Sequence, residues 1–479
     1  MKSQLARSSA LRFQRTRARI ASVFFSAVIT MTDLLPPRLR YGYVHRLTRL
    51  LFRSRLPKLD AAIAPTPSPV GQSSGIVEES AHGTERVVCA LVAGALDIGG
   101  IGSVIEVLTQ GLPTVGIRPV VICLRDGMRA ARIRDRGVEV VVVRSEADAV
   151  RAIVSLAPNV IQLHAAPEPL ENAAIASGIP LVPVLHNTEI HFSDARWQRF
   201  STLLARSAAA IAVSELVRAF HAEHLPNSLR DRITVVPNAV PTHGVATVAQ
   251  GEAARVAVER IVGAPLADAV VFASLARYDA QKNIAGLVAS FLSSVRDPRA
   301  RLVIAGEPSD WAELRLADAI RRCSPRADRV HLLAGSDART LLAASDGFIL
   351  NSFFEGWPVA ATEAAAMGLP LILSDVGGAR ELVARDPDRS IVVPNPCGRA
   401  DGVSDGSVAR ARRSFRHQSN AVALGAAVDA VVGRAAAGSS VVPLPAPDLM
   451  QIMMEGHAMV LRAAAQGDGR PQSETGGLE

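Results

Sequence analysis

The chain has 479 residues, of which 49% are apolar and only 4% aromatic, and its formal charge is +7. This length exceeds what one ordinary hydrophobic core organises, so two domains are expected. The four cysteines lie far apart and form no metal-ligand spacing, which argues against a zinc site or a disulfide framework and favours a reducing cytoplasm. They are Cys89, Cys123, Cys323 and Cys397.

The positive charge is concentrated in residues 1–58, which hold 13 Lys or Arg and one acid, Asp33. Their charge of +12 leaves the remainder of the chain at −5. Such an extension suits anionic lipid or nucleic acid, and a solvated basic tail is the alternative. Its uncharged run, residues 20–32, is shorter than the roughly 20 residues that span a bilayer. No signal-peptide cleavage pattern follows that run.

The segment YVHRLTRLLFRSRL, residues 43–56, has an amphipathic pattern. On a helix its leucines share one face and its arginines surround that face, which suits a helix lying on an anionic membrane surface. The residues concerned are Leu47, Leu50, Leu51, Arg46, Arg49 and Arg53. Residues 59–85 are rich in Pro, Ser, Gly and Ala, a composition typical of a linker.

Residues 86–245 alternate short apolar runs with helix-like segments. This alternation predicts parallel βαβ units and a first Rossmann-like domain. The seven runs are 86–93, 120–124, 138–143, 159–164, 180–186, 209–214 and 233–237.

The same alternation restarts in residues 246–440, after a joint near VPNAVPTHG (236–244). The six runs here are 270–276, 301–306, 329–335, 347–352, 370–375 and 390–394. The predicted fold is therefore α/β, with two Rossmann-like, doubly wound parallel-sheet domains facing across a cleft. The polar, Arg-rich residues 396–419 predict a mobile surface loop. Residues 441–479 predict a last helix near 447–465 and a disordered tail.

In such sheets ligands bind beyond the carboxyl ends of the strands. After the first strand comes GALDIGGIGSVIEVL, in which Gly99, Gly100 and Gly102 let backbone amides approach an anionic or bulky ligand. A tight βα turn is the alternative. A dinucleotide fingerprint is excluded because it needs Gly or Ala where Ile105 stands, so a dehydrogenase is not expected.

Polar side chains also follow the fifth strand of the first domain. The sequence LHNTEIHF places His186, Asn187 and Glu189 there, and His164 ends the preceding strand. These positions make His186 a candidate site residue. A satisfied structural histidine is the alternative for His186 and for His164.

Two cations flank the first βα turn of the second domain. In ASLARYDAQKN, Arg277 ends the strand and Lys282 stands at the helix start. Two cations beside helix amides suit a diphosphate. Two solvated surface cations are the alternative.

Two carboxylates stand eight positions apart in the apolar stretch NSFFEGWPVAATEAAAMG. Glu355 falls in the loop after a strand, and Glu363 falls on the following helix, whose first turn contains Pro358. Carboxylates near a core need partners, and sugar hydroxyls are suitable donors. The amides around Trp357, Pro358 and Val359 are expected to face phosphate oxygens.

These motifs together resemble the retaining GT-B glycosyltransferases of family 4 (glycosyl transferases group 1). That family shows EGFPxxxxEAMAxGxPVIxSxxGGxxE, and here the glycine turn, the VPNAV joint, the Arg-x4-Lys pair and the E-x7-E block occur in the same order over residues 88–395. The resemblance implies that Arg277 and Lys282 hold the donor diphosphate, with the amides of Trp357 to Val359. It also implies that Glu363 binds the ribose.

The resemblance further implies that Glu355 contacts the donor sugar and that His186 lies near the transferred sugar, as the catalytic pair. Gly99, Gly100 and Gly102 would line the cleft. Three features depart from the family pattern: Ala276 precedes Arg277 where the family has Gly, residues 359–361 are small, and residues 396–419 replace the usual acidic turn.

The implied reaction moves a sugar from a nucleotide sugar, such as a UDP- or GDP-sugar, to an acceptor hydroxyl with retention. No cofactor and no metal are expected. The one DxD, residues 386–388, precedes the last strand and predicts a turn. The open alternatives are a GT-B sugar-nucleotide epimerase or phosphorylase and a non-catalytic nucleotide-sugar-binding relative.

The acceptor is expected to be a sugar or lipid-linked molecule in polysaccharide or glycolipid synthesis. The basic extension predicts a cytoplasmic protein peripheral to the inner face of the membrane, without a nucleic-acid partner.

Overall fold

A computed structural model describes residues 2–35, 50–51, 63, 87–96, 100–241, 244–436 and 449–467, with side chains from residue 12 onward. The chain divides into two compact units. The first-sheet unit comprises residues 72–241 and 446–479, and the second-sheet unit comprises residues 1–71 and 242–445. The N-terminal helix α1 (Lys2–Asp33) therefore belongs to the unit that holds the second sheet.

The first-sheet unit contains seven parallel strands in the order β3-β2-β1-β4-β5-β6-β7. The strands are β1 (Val87–Ala95), β2 (Ile117–Arg125), β3 (Val140–Val142), β4 (Val160–His164), β5 (Leu181–Leu185), β6 (Ala210–Ala212) and β7 (Ile233–Val235). The helices between them are α2 (Gly100–Gly111), α3 (Met128–Asp135), α4 (Glu146–Leu156), α5 (Glu168–Ala176), α6 (Asp194–Ala205), α7 (Glu215–Glu223) and α8 (Asn227–Arg230).

The second-sheet unit contains six parallel strands in the order β10-β9-β8-β11-β12-β13. The strands are β8 (Val270–Leu275), β9 (Ala300–Ala305), β10 (Val330–Leu333), β11 (Gly347–Leu350), β12 (Leu371–Ser374) and β13 (Ile391–Val393). The helices are α9 (Val248–Val262), α10 (Ile284–Ser294), α11 (Trp311–Cys323), α12 (Ala338–Ala343), α13 (Val359–Ala366), α14 (Ala379–Val383), α15 (Asp405–Arg413) and α16 (Ala421–Ala436).

Burial on both faces explains why the central strands are continuous apolar runs. Every residue of β4 and β5 is buried, as parallel strands covered by helices require. On one face Ile122, Ile161 and Leu163 pack against Leu170 of α5. The two-sheet α/β prediction is confirmed, and each of the thirteen predicted runs contains one of the observed strands or overlaps it.

Capping side chains fix where several helices begin. Ser145 accepts a hydrogen bond from the amide of Asp148 at the start of α4. Thr247 and Gln250 form a reciprocal capping box at the start of α9. Each cap satisfies an amide that has no partner within the first helical turn.

Each sheet reverses its strand order at one point, and this point positions the candidate sites. In the first sheet the reversal lies between β1 and β4, and in the second sheet it lies between β8 and β11. The connections from the two central strands leave in opposite directions there, which opens a crevice at their carboxyl ends.

The C-terminal helix α17 (Leu449–Gln466) packs within the first-sheet unit. A Cβ at Gly111 would meet the Met454 side chain, and a Cβ at Gly456 would meet Val236. Glycine at both positions therefore allows the helix to approach closely. This approach carries His457 to β4, where it meets Gln162.

The prediction of a mobile loop at residues 396–419 is wrong, because most of the second half of this segment is helical. Helix α15 begins at a capping box between Ser404 and Ser407. It buries Val408 and Arg412, and Arg412 pairs with Glu313 at 2.5 Å. The many arginines in this stretch predicted solvent exposure, but the ion pair with Glu313 compensates the burial of the Arg412 charge.

Several predictions fall on residues outside the described part of the chain. They are Gly99, most of the amphipathic segment 43–56, the linker 59–85 except Ile63, and the tail after residue 467. Within the amphipathic segment, only Leu50 and Leu51 are described, and both are exposed. In the described part of the chain no helix combines the length and apolarity that crossing a bilayer requires.

Candidate functional site

The second sheet brings the predicted cations and one predicted carboxylate together at its reversal point. Arg277 lies two residues beyond β8 and Lys282 lies seven beyond it, while Glu355 lies five residues beyond β11. These two strands are neighbours in the sheet. Their loops also bond to each other, since the amide of Phe353 donates to the carbonyl of Gln281 at 2.9 Å.

Lys282 and Glu355 form a short ion pair. Lys282 Nζ lies 2.5 Å from Glu355 Oε1, and the two side chains are only 17% and 7% exposed. Gln281 Nε2 donates to the other carboxylate oxygen at 3.3 Å and to the carbonyl of Phe354 at 2.9 Å. The carboxylate is thus compensated by one cation and one amide, as a buried charge requires.

Arg277 is the more accessible cation of the two. Its side chain is 51% exposed, and it contacts Asp279 at 3.1 Å. Asp279 Oδ1 also accepts from the amides of Gln281 and Lys282, each at 3.1 Å, which shapes the turn that carries both cations. An exposed arginine held loosely by one carboxylate keeps donors available for an anion.

The loop that carries Glu355 continues into helix α13. Pro358 is the N-cap residue and Val359 the first helical residue. Trp357 is buried and donates from its indole Nε1 to Thr362 Oγ1 at 2.8 Å, so its ring is fixed over the start of the helix. Glu363 lies on α13 and is half-buried.

A double glycine after β12 packs directly against this loop. Gly377 has a φ of +45°, and a Cβ there would lie 2.2 Å from the carbonyl oxygen of Gly356. A Cβ at Gly378 would collide with the Trp357 ring. The amide of Gly378 donates to the Gly356 carbonyl at 3.0 Å. Only glycine allows this approach. The sequence showed the GG pair, but we predicted no role for it.

The first sheet has a cavity at its own reversal point. A cavity of about 300 Å³ lies beside the ends of β1 and β4, lined among others by Gly94, Ile101, Arg125 and His164. Gly100 and Gly102 begin α2 next to it, with Gly100 exposed and Gly102 buried.

His186 joins a chain of buried hydrogen bonds. Its Nε2 lies 2.9 Å from His164 Nδ1, and His164 Nε2 lies 3.0 Å from Gln162 Oε1. Gln162 Nε2 in turn lies 3.0 Å from His457 Nδ1. The structure therefore ties His186 to three groups that we did not predict to act with it. Gln162 and His164 lie two residues apart on β4, so they share one face of the strand. This spacing is the sequence signal that could have identified Gln162.

Burial keeps these imidazoles neutral. Desolvation lowers the pKa of His186 to about 4. Desolvation, with a smaller effect of His186, lowers the pKa of His457 to about 3. Burial and then the neighbouring histidines hold the pKa of His164 well below its usual value. The site therefore presents uncharged nitrogen atoms near neutral pH.

Glu189 is a further titratable group in the loop after β5. Burial raises its pKa to about 7, against a smaller opposing effect of Arg196. A carboxyl group whose pKa is shifted this far is typical of functional sites.

Within the described residues, no group of three or more His, Cys, Asp or Glu is arranged to hold a metal ion. The one DxD lies between α14 and β13. Asp386 there pairs with Arg389 at 2.6 Å, and its carbonyl accepts from the amide of Ser390. These contacts close a turn, as predicted.

Known families match both halves of the chain. The family described as Glycosyl transferases group 1 matches residues 268–405, and Glycosyltransferase Family 4 matches residues 98–243. The "Putative glycosyltransferase EpsF" of Bacillus subtilis (strain 168) is 31% identical over 151 residues. That match covers 31% of this chain and 38% of EpsF.

Solved structures share the fold. Anabaena HepE in complex with UDP has a TM-score of 0.58 at 17% identity, covering 79% of this chain and all of HepE. Sucrose-phosphate synthase from Thermosynechococcus elongatus has a TM-score of 0.55 at 14% identity, covering 80% of this chain and all of that protein. The likeness confirms the predicted GT-B fold.

Proposed function

Since the chain belongs to the family 4 glycosyltransferases of the GT-B fold, we propose that it transfers a sugar from a nucleotide diphosphate sugar to an acceptor hydroxyl with retention at the anomeric carbon. The observation that carries this proposal is the cluster of Arg277, Lys282 and Glu355 at the reversal point of the second sheet. It combines cations for a diphosphate with a carboxylate for sugar hydroxyls.

In the proposed reaction the diphosphate leaves with the electron pair of the bond to the anomeric carbon. Arg277 and Lys282 stabilise the negative charge that develops, together with the amides at the start of α13, without a metal. Lys282 is paired with Glu355 at 2.5 Å. When the donor binds, its diphosphate contacts Lys282, and the Glu355 carboxylate becomes available to the sugar hydroxyls.

Retention follows from attack on the face that the diphosphate leaves. The acceptor oxygen forms the new bond to the anomeric carbon, and its proton passes to an oxygen of the departing phosphate. Glu363, on α13, binds the ribose hydroxyls. His186 accepts a hydrogen bond from the transferred sugar, and Gly100 and Gly102 let that sugar approach the start of α2.

The first donors to test are UDP-sugars. HepE was solved with UDP and with UDP-glucose. GDP-sugars are the next class, since Glu363 contacts a ribose that both nucleotides share. The nucleotide sugar is in either case a co-substrate, and no cofactor is needed.

We propose that the acceptor is a sugar or a lipid-linked glycan in polysaccharide or glycolipid synthesis, reached at the cytoplasmic face of the membrane. The basic extension supports this location, because residues 1–58 carry a charge of +12 and anionic lipid attracts such segments.

The reaction is tested by incubating the full chain with a panel of UDP- and GDP-sugars and following the release of nucleoside diphosphate. Slow release without acceptor, faster release with acceptor and an unchanged anomeric configuration in the product are expected. Interconversion of the donor sugar would instead indicate an epimerase, and binding without turnover would indicate a non-catalytic relative.

The Glu355→Ala variant tests the assignment of the carboxylate. Transfer is expected to be lost, because the sugar hydroxyls lose their acceptor and Lys282 loses its partner. Glu252→Ala, at an exposed position of α9, is the control and should keep full activity. Full activity in the Glu355→Ala variant would overturn the role.

A further inference from the structure

Within the second-sheet unit, one face of helix α1 packs against helices that follow the second sheet's strands. Ala18, Ser22, Ile29 and Asp33 are at most 8% exposed. They recur at intervals of four, seven and four residues, so they lie along one side of the helix. This side faces α11 and α15, and the helix is therefore part of the folded unit.

A buried charge cluster and a hydrogen bond fix that face. Arg412 of α15 pairs with Asp33 and, at 2.5 Å, with Glu313 of α11. Nearby, Arg416 donates to Ser22 Oγ at 2.7 Å. Breaking a buried ion pair is costly, so α1 keeps a single orientation and its opposite side points away from the unit.

That opposite side exposes large apolar side chains. Phe13, Ile20, Phe24 and Met31 are 64%, 66%, 53% and 69% exposed, and Leu34, just beyond the end of the helix, is 81% exposed. The four residues on the helix are spaced by seven, four and seven residues, which places them in one stripe. Several large apolar side chains exposed on one side of a helix are unusual on a protein surface and mark an interaction site.

On α1 itself, the charged residues beside the stripe are arginines. Arg12, Arg17 and Arg19 are exposed beside it, and the Arg17 guanidinium lies 5.7 Å from the centre of the Phe13 ring. The single acid of α1, Asp33, lies on the buried face. A second copy of this stripe would bring like charges together, so the charge pattern disfavours self-association.

A groove between α1 and α11 continues this surface. Its volume is about 1170 Å³, and Phe24 and Phe25 line it. Four arginines (Arg15, Arg17, Arg315 and Arg322) and two acids (Asp318 and Asp328) also line it, so the lining keeps a net positive charge. Aromatic side chains beside guanidinium groups suit an anionic headgroup with its attached acyl chains. The groove and the stripe share Phe24, so one lipid surface would contact both.

We propose that the outer face of α1 docks on an anionic phospholipid bilayer, with a lipid phosphate held by the arginines of the groove. This proposal rests on the proposed membrane location, and it names the surface of the protein that contacts the membrane. Apolar side chains enter the acyl boundary while the arginines meet the headgroups.

The test is co-sedimentation of the full chain with phosphatidylglycerol vesicles and with phosphatidylcholine vesicles. Binding to the first and not the second is expected. The triple variant Ile20→Ser, Phe24→Ser, Met31→Ser should bind at least about 10-fold more weakly. Val154→Ser, Val248→Ser, Val422→Ser, which removes equally exposed side chains elsewhere, should bind like the parent.

The shift in melting temperature produced by UDP shows that each variant is folded and separates this proposal from the proposed reaction. If the stripe variant responds to UDP as the parent does but keeps its vesicle binding, the surface is wrong. Equal binding to both vesicle types, or a change in oligomeric state in place of lipid binding, would also overturn it. Arg12→Gln, Arg17→Gln, Arg19→Gln provides a second variant with an intact apolar stripe and is expected to lose binding to the anionic vesicles.

A second inference comes from the direction of the hydrogen-bond chain at His186. Gln162 Nε2 donates to His457 Nδ1, and Gln162 Oε1 accepts from the Nε2–H of His164. Neutral His164 then carries no proton on Nδ1, and this nitrogen accepts a hydrogen bond from the Nε2–H of His186. His186 is left with a lone pair on Nδ1.

We infer that Gln162, His164 and His457 are positioning residues that hold His186 in this one tautomer. The inference rests on the proposed role of His186. A neutral imidazole with a free Nδ1 accepts a hydrogen bond from a sugar hydroxyl, whereas an imidazolium only donates. The C-terminal helix would thus set the chemistry of a residue 271 positions earlier in the chain.

Nitrogen-15 NMR of the histidine-labelled full chain tests the tautomer. One neutral form of His186, protonated on Nε2, is expected near pH 7. Gln162→Leu should give a mixture of tautomers and lower kcat by roughly 10- to 100-fold, as for other residues that orient a histidine. His221→Leu, which removes a buried histidine bonded to the Val217 carbonyl, should leave the His186 signals unchanged.

An unchanged His186 tautomer in the Gln162→Leu variant would overturn this second inference. If the tautomer changes and transfer does not, the proposed role of His186 is wrong while the hydrogen-bond chain stands.

Discussion

The two candidate sites occupy equivalent places in their sheets but differ in electrostatics. In the second-sheet unit, Lys282 and Glu355 are charged and lie 2.5 Å apart. In the first-sheet unit, His186, His164 and His457 are linked through Gln162, and burial favours their neutral form. Lys282 and Glu355 follow the two strands at which the second sheet reverses, whereas His164 ends β4 at the reversal of the first sheet and His186 follows the neighbouring strand β5.

This difference shows that the architecture provides a position and the side chains decide what binds there. Charged groups suit a ligand with charge of its own, such as a diphosphate, because ligand and side chains then compensate one another. Neutral imidazoles suit uncharged hydroxyl groups, which cannot compensate a buried charge. The two crevices are therefore suited to different groups, a charged one in the second-sheet unit and a neutral one in the first-sheet unit.

The largest effect is expected from removing Lys282. Lys282→Met takes away the charge for the diphosphate. Among the described residues, the Glu355 carboxylate, which is 7% exposed, then keeps the hydrogen bond from Gln281 but has no cation. Transfer should fall by about 100- to 1000-fold, and the melting temperature should fall as well. Arg255→Met, which breaks a half-buried pair with Asp346 in the same unit, should lower stability without this loss of transfer.

A somewhat smaller effect is expected from the exposed cation. Arg277→Met should lower kcat/KM by about 100-fold, because one charge-assisted contact to the diphosphate is lost. Its matched control is Arg399→Met. Arg399 also pairs with an acid two residues along, Asp401, and is 87% exposed. Equal activity of the two variants in steady-state assays would remove Arg277 from the site.

Acid should weaken the neutral site selectively. Burial lowers the pKa of His186 to about 4 and that of His457 to about 3. The unfolded chain therefore binds protons, from about pH 6.5 downward, that the folded chain does not. The free energy of unfolding should fall as pH falls from 6.5 to 4. Hydrogen exchange followed by peptide should show β4 and α17 losing protection in this range.

The smallest effect is expected from Glu189, whose contribution to stability changes with pH in the direction opposite to that of the histidines. Burial raises the pKa of Glu189 to about 7, so the folded chain binds a proton that the unfolded chain releases above about pH 4.5. This contribution to stability is present at low pH and lost as pH rises through 7. Glu189→Gln should raise the melting temperature at pH 8 more than at pH 5. Glu223→Gln, at an exposed position, should show no such pH dependence.

Much of the fold could be predicted because its signal is local. Runs such as 120–124 and 370–373 are apolar throughout, since parallel strands are buried on both faces, and helices separate them. Residues 396–419 could not be assigned in the same way. Arg412 is buried there because Asp33 and Glu313, from distant parts of the chain, compensate its charge.

The sequence by itself determined the two-sheet architecture and the residue types at the ends of its strands. The alternation of apolar runs and the cations and carboxylates that follow them are properties of neighbouring residues. Only the tertiary structure decided that Lys282 and Glu355 are partners and that His457 reaches Gln162. Residues so far apart in the chain meet only because strand order and helix packing bring them together, and no local pattern records that order.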